Sequence, residues 1–414
     1  MPPEPTTAPL PVGRGRDAMA WLESKGLVTR IPPIRSSDIG YLSDPFRYYL
    51  VRRLGLTQPD AYSEALSLGS WAHVCMELYG KRGYETRVEE QKILIRERAK
   101  SFGWKSTKIL DLCERMQRDA DKARVIWDAA LDCPIPSNNG LGSLREFLDS
   151  PHFETLGTEL VLEYKDPRWP RTPLLAQLDR LMFNPRDNTL IIPDLKTTSK
   201  SPRVRLASCP WEYQNRLYTH IVESLLEDGT LQAHFKIPPQ TRLKAFVHIA
   251  LRKPTIALGP ADRDFTTHEH TLRSGPRKDQ IELRKEYVGE PRWANYLERV
   301  KQQFYGTGEY ENLAEFRKTD PSVNFSWTWV STITDDDRSE FRQFTNAIYK
   351  LATARPYPVL FPRNGANMET WNDVDILAPF YATHPSQWPA IIRHLNLVQH
   401  WREDDITAKI GVLE

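Results

Sequence analysis

Two runs with strand composition, LLAQLDRLMF (174–183) and TLIIPDLKT (189–197), flank the segment NPRDN (184–188). Turns prefer proline, asparagine and aspartate, so the three segments together predict a β-hairpin. Within the second run, Leu190-Ile191-Ile192 predicts a strand that is buried on both faces. Charged residues at the end of such a strand usually have a function, because burying them is costly.

The predicted hairpin brings three charged residues together. Asp194 and Lys196 are two residues apart on the second strand, so they point to the same face, and the short turn places Asp179 opposite residue 193 or 194. Two adjacent carboxylates repel each other unless a cation joins them, and a divalent ion with oxygen ligands is the natural partner. The lysine can then orient or activate a water, or neutralise charge on a phosphate. Taken alone, D-x-K is more often a surface salt bridge.

Two predicted helices carry further polar residues. The segment Gly69–His73 places an imidazole on a helix among apolar neighbours. Gln214 and Tyr218 are four residues apart and share one face of a helix that begins near Ser208. Each feature in isolation is also typical of a hydrogen-bonded core histidine or a pair on a helix surface.

The order of these motifs along the chain is more specific than any one of them. The pieces are Gly69–His73, Leu178–Arg180, Asp194–Thr198 and Gln214–Tyr218, preceded by Ser43–Tyr49. The order G-x-x-x-H, D, D-x-K, Q-x-x-x-Y resembles the RecB-like branch of the PD-(D/E)XK nuclease superfamily, which includes phage exonucleases and CRISPR-associated nucleases. The resemblance covers residues 36 to about 252, roughly half of the chain.

The resemblance implies an α/β fold, in which a mixed central β-sheet of four or five strands is flanked by helices. We expect helical extensions at the N-terminal and C-terminal ends. The expected organisation is a flexible Pro-rich tail at 1–33, a nuclease core at 34–252 with a helical insertion at about 81–150, and a mostly helical or loop extension at 253–414. Within that extension, residues 253–280 are predicted to form a long loop and residues 280–304 a helix.

The resemblance also implies a role for each motif residue. The ligands of one or two Mg²⁺ or Mn²⁺ ions would be His73, Asp179, Asp194 and the Leu195 carbonyl. Lys196 would position the attacking water, and Gln214 and Tyr218 would contact the DNA or brace the lysine. Many relatives hold an iron–sulfur cluster, but Asp44 stands where their first cysteine lies and no cysteine follows Cys209. No cluster is therefore expected.

Basic residues near the motifs are candidates for contact with DNA. Lys200, Arg203 and Arg205 follow the D-x-K strand in a stretch without acids, and Arg47 lies on the first helix beside two tyrosines. A charge run is also typical of a solvated face.

Three further acids are candidates for minor roles in the site. Glu159 and Glu163 share one face of the strand before the hairpin. Either is a candidate for an extra acid near the metal, and the alternative interpretation is a solvated strand face. Glu77 lies one helical turn after His73 and is a candidate to orient its ring.

Composition places limits on the function. The chain has 414 residues, a net charge of +2 and four cysteines, none in a C-x-x-C motif. It lacks an apolar run of about 18 residues and a hydrophobic leader, so we expect no membrane association and a cytoplasmic location. The resemblance implies that this is a bacterial or phage-infected host cytoplasm. The expected partners are DNA and, by resemblance, a single-strand annealing protein or further copies of the chain. The leading hypothesis is a metal-dependent DNA exonuclease; the alternative is a nuclease-fold DNA-binding or assembly component with weak or lost cleavage.

Overall fold

The fold is taken from a computed structural model of the chain. The structure describes residues 32–39, 45–57, 68–101, 104–131, 134–137, 140–170, 172–199, 212–254, 256–271, 280–305 and 326–332, with shorter pieces at 202, 205, 334–336, 339, 349–350, 352–353 and 398–399. Almost all of the predicted tail at 1–33, the helix start near Ser208, and Lys200 and Arg203 lie outside these residues.

The helices of the described residues are α1 (Ser36–Ile39), α2 (Pro45–Tyr48), α3 (Leu68–Glu77), α4 (Tyr84–Ser101), α5 (Ser106–Leu131), α6 (Leu144–Leu148), α7 (Tyr213–Glu227), α8 (Thr230–Phe235) and α9 (Trp293–Tyr305). A π-helical turn, Tyr49–Arg53, continues α2.

The strands are β1 (Leu56–Thr57), β2 (Pro134–Ser137), β3 (Gly140–Ser143), β4 (Glu154–Tyr164), β5 (Leu174–Asn184), β6 (Thr189–Thr198), β7 (Arg242–Arg252), β8 (Asp264–Thr271), β9 (Ile281–Val288), β10 (Ser326–Thr332) and β11 (Val398–Gln399).

A mixed sheet forms the centre of the fold. Among the described residues it has five strands in the order β10-β7-β6-β5-β4. Strands β6 and β7 are parallel, and the other three neighbouring pairs are antiparallel. The parallel pair needs a crossover, and α7 and α8 lie in the connection between its strands. The expected α/β fold with a mixed sheet of four or five strands is confirmed.

Helices cover both faces of this sheet. On one face, Ile192 of β6 packs in a cluster with Leu217 and Ile221, which are four residues apart on α7. On the other face, Ile191 and Leu195 pack in a second cluster with residues of α3 and α5. Alternate side chains of β6 therefore enter different cores, which explains why its first half, LIIP (190–193), is continuously apolar.

The alternation along β6 decides where its charged residues point. Asp194 and Lys196 have the same parity as Ile192, so they lie on the sheet face that α7 covers. Leu195 faces the core on the α5 side and is fully buried. The hairpin predicted from the sequence is thus present, with β5 and β6 antiparallel and a four-residue turn after Asn184.

Two predictions for the C-terminal part are wrong. The long loop predicted over 253–280 contains β8, and the helix predicted over 280–304 begins with β9 and becomes helical only at Trp293. Strands β8 and β9 form an antiparallel hairpin of eight pairs, from Asp264↔Val288 to Thr271↔Ile281. The β-branched residues of β8 and the alternating Ile281, Leu283 and Tyr287 favour strands once they pair with each other.

Strand β10 extends the central sheet beyond the predicted core range of 34–252. All seven of its residues pair with β7, from Ser326↔Leu251 to Thr332↔Ala245. No helix in the described part of the chain is long and apolar enough to cross a membrane.

Truncating a buried side chain of the central sheet is expected to destabilise the whole fold. Ile249 on β7 is fully buried between β6 and β10. We expect Ile249→Ala to lower the free energy of unfolding by about 2–5 kcal/mol, since it leaves a cavity. Ile281→Ala is the matched control: Ile281 is 63% exposed on β9, and its loss should cost no more than about 0.5 kcal/mol. Urea titrations followed by circular dichroism measure both; equal effects would contradict the assigned core.

Candidate active site

The two strands of the hairpin separate before they reach their charged residues. Their ladder runs from Asn184↔Thr189 to Met182↔Ile191. Farther from the turn, the Leu195 amide donates a hydrogen bond to Asp179 Oδ2 at 2.6 Å. A side-chain carboxylate therefore takes the place of a main-chain carbonyl, and this bond fixes the Asp179 side chain between β5 and β6.

Helix α3 brings an imidazole to the other oxygen of this carboxylate. His73 Nδ1 lies 3.0 Å from Asp179 Oδ1. The helix is held against the sheet by buried Trp71 and by Arg180, which donates to the Met76 carbonyl at 3.0 Å. Burial by itself lowers the pKa of His73, but the adjacent Asp179 carboxylate raises it above its ordinary value.

A second carboxylate approaches Asp179 from the neighbouring strand. Glu159 on β4 lies across from Asp179, between the ladder pairs Thr158↔Arg180 and Leu160↔Leu178. Its backbone is left-handed, with φ of 49°, which is unusual for a residue that is not glycine. Burial, followed by repulsion from Asp179, raises the pKa of Glu159.

These three side chains form a set of potential metal ligands. One atom each of His73, Glu159 and Asp179 lie within 4.8 Å of one another. Gln177 orients Glu159 by donating to Oε2 at 2.7 Å. Two carboxylates and an imidazole suit a divalent ion such as Mg²⁺ or Mn²⁺, and Mn²⁺ accepts the imidazole nitrogen more readily.

The charged residues of β6 form a separate ion pair beside this set. Lys196 Nζ donates to Asp194 Oδ1 and to Gln214 Oε1, both at 2.8 Å, and Gln214 Nε2 donates to the same Asp194 oxygen at 3.2 Å. Burial lowers the pKa of Lys196, but Asp194 and Asp179 more than offset it and keep the pKa above its ordinary value. The lysine is therefore a charged donor and not a base.

A histidine that the sequence analysis did not select completes the surroundings of Asp194. The parallel register pairs Asp194 with His248 on β7, whose Nδ1 lies 3.2 Å from Asp194 Oδ2. The Nε2 atom of His248 lies 3.2 Å from Asn215 Nδ2. Burial would raise the pKa of Asp194, but Lys196 and His248 together hold it well below its usual range. The only signal in the sequence was a histidine within the otherwise apolar run FVHIAL (246–251).

Tyr218 lies next to the site and lines a cavity of about 120 Å³. The polar side chains around this cavity are Arg35, Ser36, Ser37, Gln177 and Tyr218. Because Gln177 also bonds Glu159, the cavity adjoins the potential metal ligands.

Several predicted residues have other partners in the structure. Glu77 accepts a hydrogen bond from Arg87 at 2.9 Å, and the structure shows the His73 ring held by Asp179. Glu163 pairs with Lys165 at 2.9 Å. Arg205 forms an ion pair with Glu212. Asp194 lies outside the cluster of His73, Glu159 and Asp179, since its oxygens face Lys196, Gln214 and His248.

A comparison with known families agrees with this arrangement. The family model of the PD-(D/E)XK nuclease superfamily matches residues 40–320, which include both the potential metal ligands and Lys196. The chain belongs to the PD-(D/E)XK nuclease superfamily. Membership makes it a nuclease by family, with DNA as the implied substrate and a divalent metal as the usual cofactor. No curated protein sequence matches the chain.

The potential ligands His73, Asp179 and Glu159 are chemically suited to a divalent metal ion. They offer two carboxylates and an imidazole, which are ligands that a divalent ion accepts. Burial, and then repulsion from Asp179, raises the pKa of Glu159, and a cation between the two carboxylates would relieve that repulsion.

The buried Asp194 makes stability depend on pH in a defined direction. Because its pKa is lower in the folded state than the value of about 3.9 in the unfolded chain, its contribution is present above about pH 5 and is lost as pH falls. We expect Asp194→Asn to reduce the free energy of unfolding at pH 7 by about 3 kcal/mol, since Lys196 loses its buried partner. The difference from wild type should shrink towards pH 3, as measured by urea titration in EDTA.

The control for this titration is Asp111→Asn on α5. Asp111 and its partner Arg115 are both more than half exposed, so solvent screens their pair. If the loss of stability in Asp194→Asn did not change with pH, the pKa of Asp194 would be the same in the folded and unfolded states, which would contradict its lowered pKa in the folded protein.

Proposed function

We propose that the chain is a metal-dependent deoxyribonuclease that hydrolyses phosphodiester bonds, and that it acts as an exonuclease in phage-type recombination or DNA processing. The observation that supports this proposal best is the charged, partly buried Lys196, which Asp194 and Gln214 hold beside the His73–Asp179 pair. A structural salt bridge at this strand end would not require an imidazole and a further carboxylate beside it.

The proposed metal ligands include His73 and Asp179, and the resemblance adds Asp194 and the Leu195 carbonyl. When bound, one or two Mg²⁺ or Mn²⁺ ions at such a site supply a more acidic water and neutralise charge on the phosphate. Asp179 is already fixed by the Leu195 amide, so its Oδ1 atom and the imidazole stay in place before an ion arrives.

Lys196 performs the second part of the proposed mechanism. Two of its three N–H bonds are used by Asp194 and Gln214, which leaves one donor for the attacking water or a phosphate oxygen. Since its pKa is raised, it keeps its charge as negative charge builds on the phosphorus. In this proposal Gln214 braces the lysine, which is one of the two roles that the resemblance implies, and Tyr218 lines the adjoining cavity.

The remaining predictions concern the partners of the site. We propose that Lys200, Arg203, Arg205 and Arg47 contact DNA phosphates, and that Arg205 exchanges Glu212 for a phosphate. A single-strand annealing protein and further copies of the chain are the proposed protein partners. The proposed location is the cytoplasm of a bacterium or of a phage-infected host, and no iron–sulfur cluster is proposed.

Digestion of DNA tests the activity. End-labelled linear duplex and covalently closed circular DNA are incubated with the protein in Mg²⁺, Mn²⁺ or EDTA. We expect metal-dependent loss of the linear DNA alone. Lys196→Ala and Asp179→Ala should each reduce kcat by about 10²-fold or more, the size found when one group that stabilises transition-state charge is removed.

The control variants are Lys244→Ala and Asp187→Ala. These two residues form an ion pair at 2.8 Å by the hairpin turn, at the opposite end of the same strands. Cleavage of the circular DNA would overturn the exonuclease assignment and leave a nuclease. If wild type leaves both DNAs intact with either metal, the catalytic proposal fails, and a gel-shift assay then tests the DNA-binding alternative.

The proposed phosphate contacts are tested by the salt dependence of binding. We expect Lys200→Ala and Arg203→Ala each to weaken binding to duplex DNA in Ca²⁺ and to lower the slope of log K against log [salt] by about 1. Lys100→Ala, at the exposed end of α4, should leave the slope unchanged. Fluorescence anisotropy from 50 to 300 mM salt measures the slopes, and equal slopes in all variants would remove these residues from the DNA surface.

A further inference from the structure

We propose that Glu159 is a ligand of the catalytic metal and contributes more to metal affinity than Asp194 does. This inference rests on the metal-dependent function proposed above and assigns the ion to carboxylates on two neighbouring strands. The acid of the D-x-K motif then serves mainly as the partner of Lys196.

The geometry around Asp179 supports Glu159. The ligand atoms of His73, Glu159 and Asp179 lie within 4.8 Å of one another. Opposite ligands of a six-coordinate Mg²⁺ are about 4.2 Å apart, since each metal–oxygen distance is about 2.1 Å. Closing the cluster onto one ion therefore needs only small side-chain movements.

The hydrogen bonds of Glu159 and Asp194 also favour Glu159 as the ligand. Glu159 Oε2 accepts a hydrogen bond from Gln177, and no hydrogen bond to Oε1 is among those the structure shows. By contrast, both oxygens of Asp194 are engaged: Oδ1 accepts from Lys196 and Gln214, and Oδ2 lies 3.2 Å from His248. Moving Asp194 onto an ion would break contacts that neutralise its buried charge, whereas Glu159 would exchange repulsion for attraction.

The backbone of β4 directs Glu159 towards Asp179. Its φ of 49° interrupts the regular strand at the point where Thr158 and Leu160 pair with residues on either side of Asp179. Non-glycine residues with such backbones concentrate at functional sites, where the surrounding structure imposes them. An ordinary solvated glutamate would not require this conformation.

Direct measurement of metal binding tests the proposal without relying on cleavage. Protein freed of metal with EDTA is titrated with Mn²⁺, and free Mn²⁺ is measured by electron paramagnetic resonance. We expect Glu159→Gln to weaken Mn²⁺ binding by about tenfold or more, since even outer-shell partners of metal ligands contribute about 10–100-fold. Asp194→Asn should weaken binding less than Glu159→Gln.

Two further variants make the result interpretable. Glu154→Gln changes an exposed glutamate at the start of the same strand and should bind Mn²⁺ as wild type does. Glu159→Gly removes the carboxylate while suiting the left-handed backbone, so it separates loss of a ligand from loss of folding. It should show the same weakened binding as Glu159→Gln, with an unchanged circular dichroism spectrum.

The outcomes separate this inference from the proposed function. If wild type cleaves DNA and binds Mn²⁺, while Glu159→Gln and Glu159→Gly bind it equally well, Glu159 is not a ligand and the nuclease proposal stands. A larger loss of affinity in Asp194→Asn than in Glu159→Gln overturns the division between the two acids. Absence of Mn²⁺ binding in wild type contradicts the metal-dependent function itself.

Discussion

The hydrogen bond from the Leu195 amide to Asp179 is the contact on which the site depends. Strands β5 and β6 are held as a ladder near their turn and then separate, and the Asp179 carboxylate enters the space between them. One of its oxygens closes the gap in the sheet, while the other faces His73. A purely main-chain ladder would leave no acid between these strands for His73 to meet.

The site keeps several acids together in a partly buried region, which is unfavourable without compensation. Lys196 and His248 neutralise Asp194 within the protein. The second pair, Glu159 and Asp179, lies beside the imidazole of His73, and the pKa of Glu159 is raised by burial and then by repulsion from Asp179. The site therefore has one acid that is satisfied within the protein and one pair that a divalent ion would satisfy. In the proposed mechanism, this difference separates the acid that positions the lysine from the acids that bind the metal.

Local patterns explain which parts of the structure were predicted well. The hairpin, the helix that carries His73 and the pairing of Asp194 with Lys196 follow from residues that are near each other in the sequence, with turn residues and strand alternation to set their positions. The β8–β9 hairpin was missed because its strands are short of buried apolar residues: Ile281 and Leu283 are largely exposed. Alternating apolar residues predict a strand only weakly when neither face of the strand is buried. The helical pattern that follows Trp293 was therefore extended in the N-terminal direction over β9.

The sequence by itself determined the family and the mixed sheet, and it selected His73, Asp179 and Lys196, which the structure brings together, because these depend on the order and spacing of motifs along the chain. Only the tertiary structure decided which side chains lie beside Asp179 and which lie beside Asp194. The register of β4 against β5 places Glu159 across from Asp179, and the parallel register of β6 and β7 places His248 beside Asp194. Both registers join segments separated by a turn or a crossover, and a change of one residue would turn each side chain to the opposite face of the sheet.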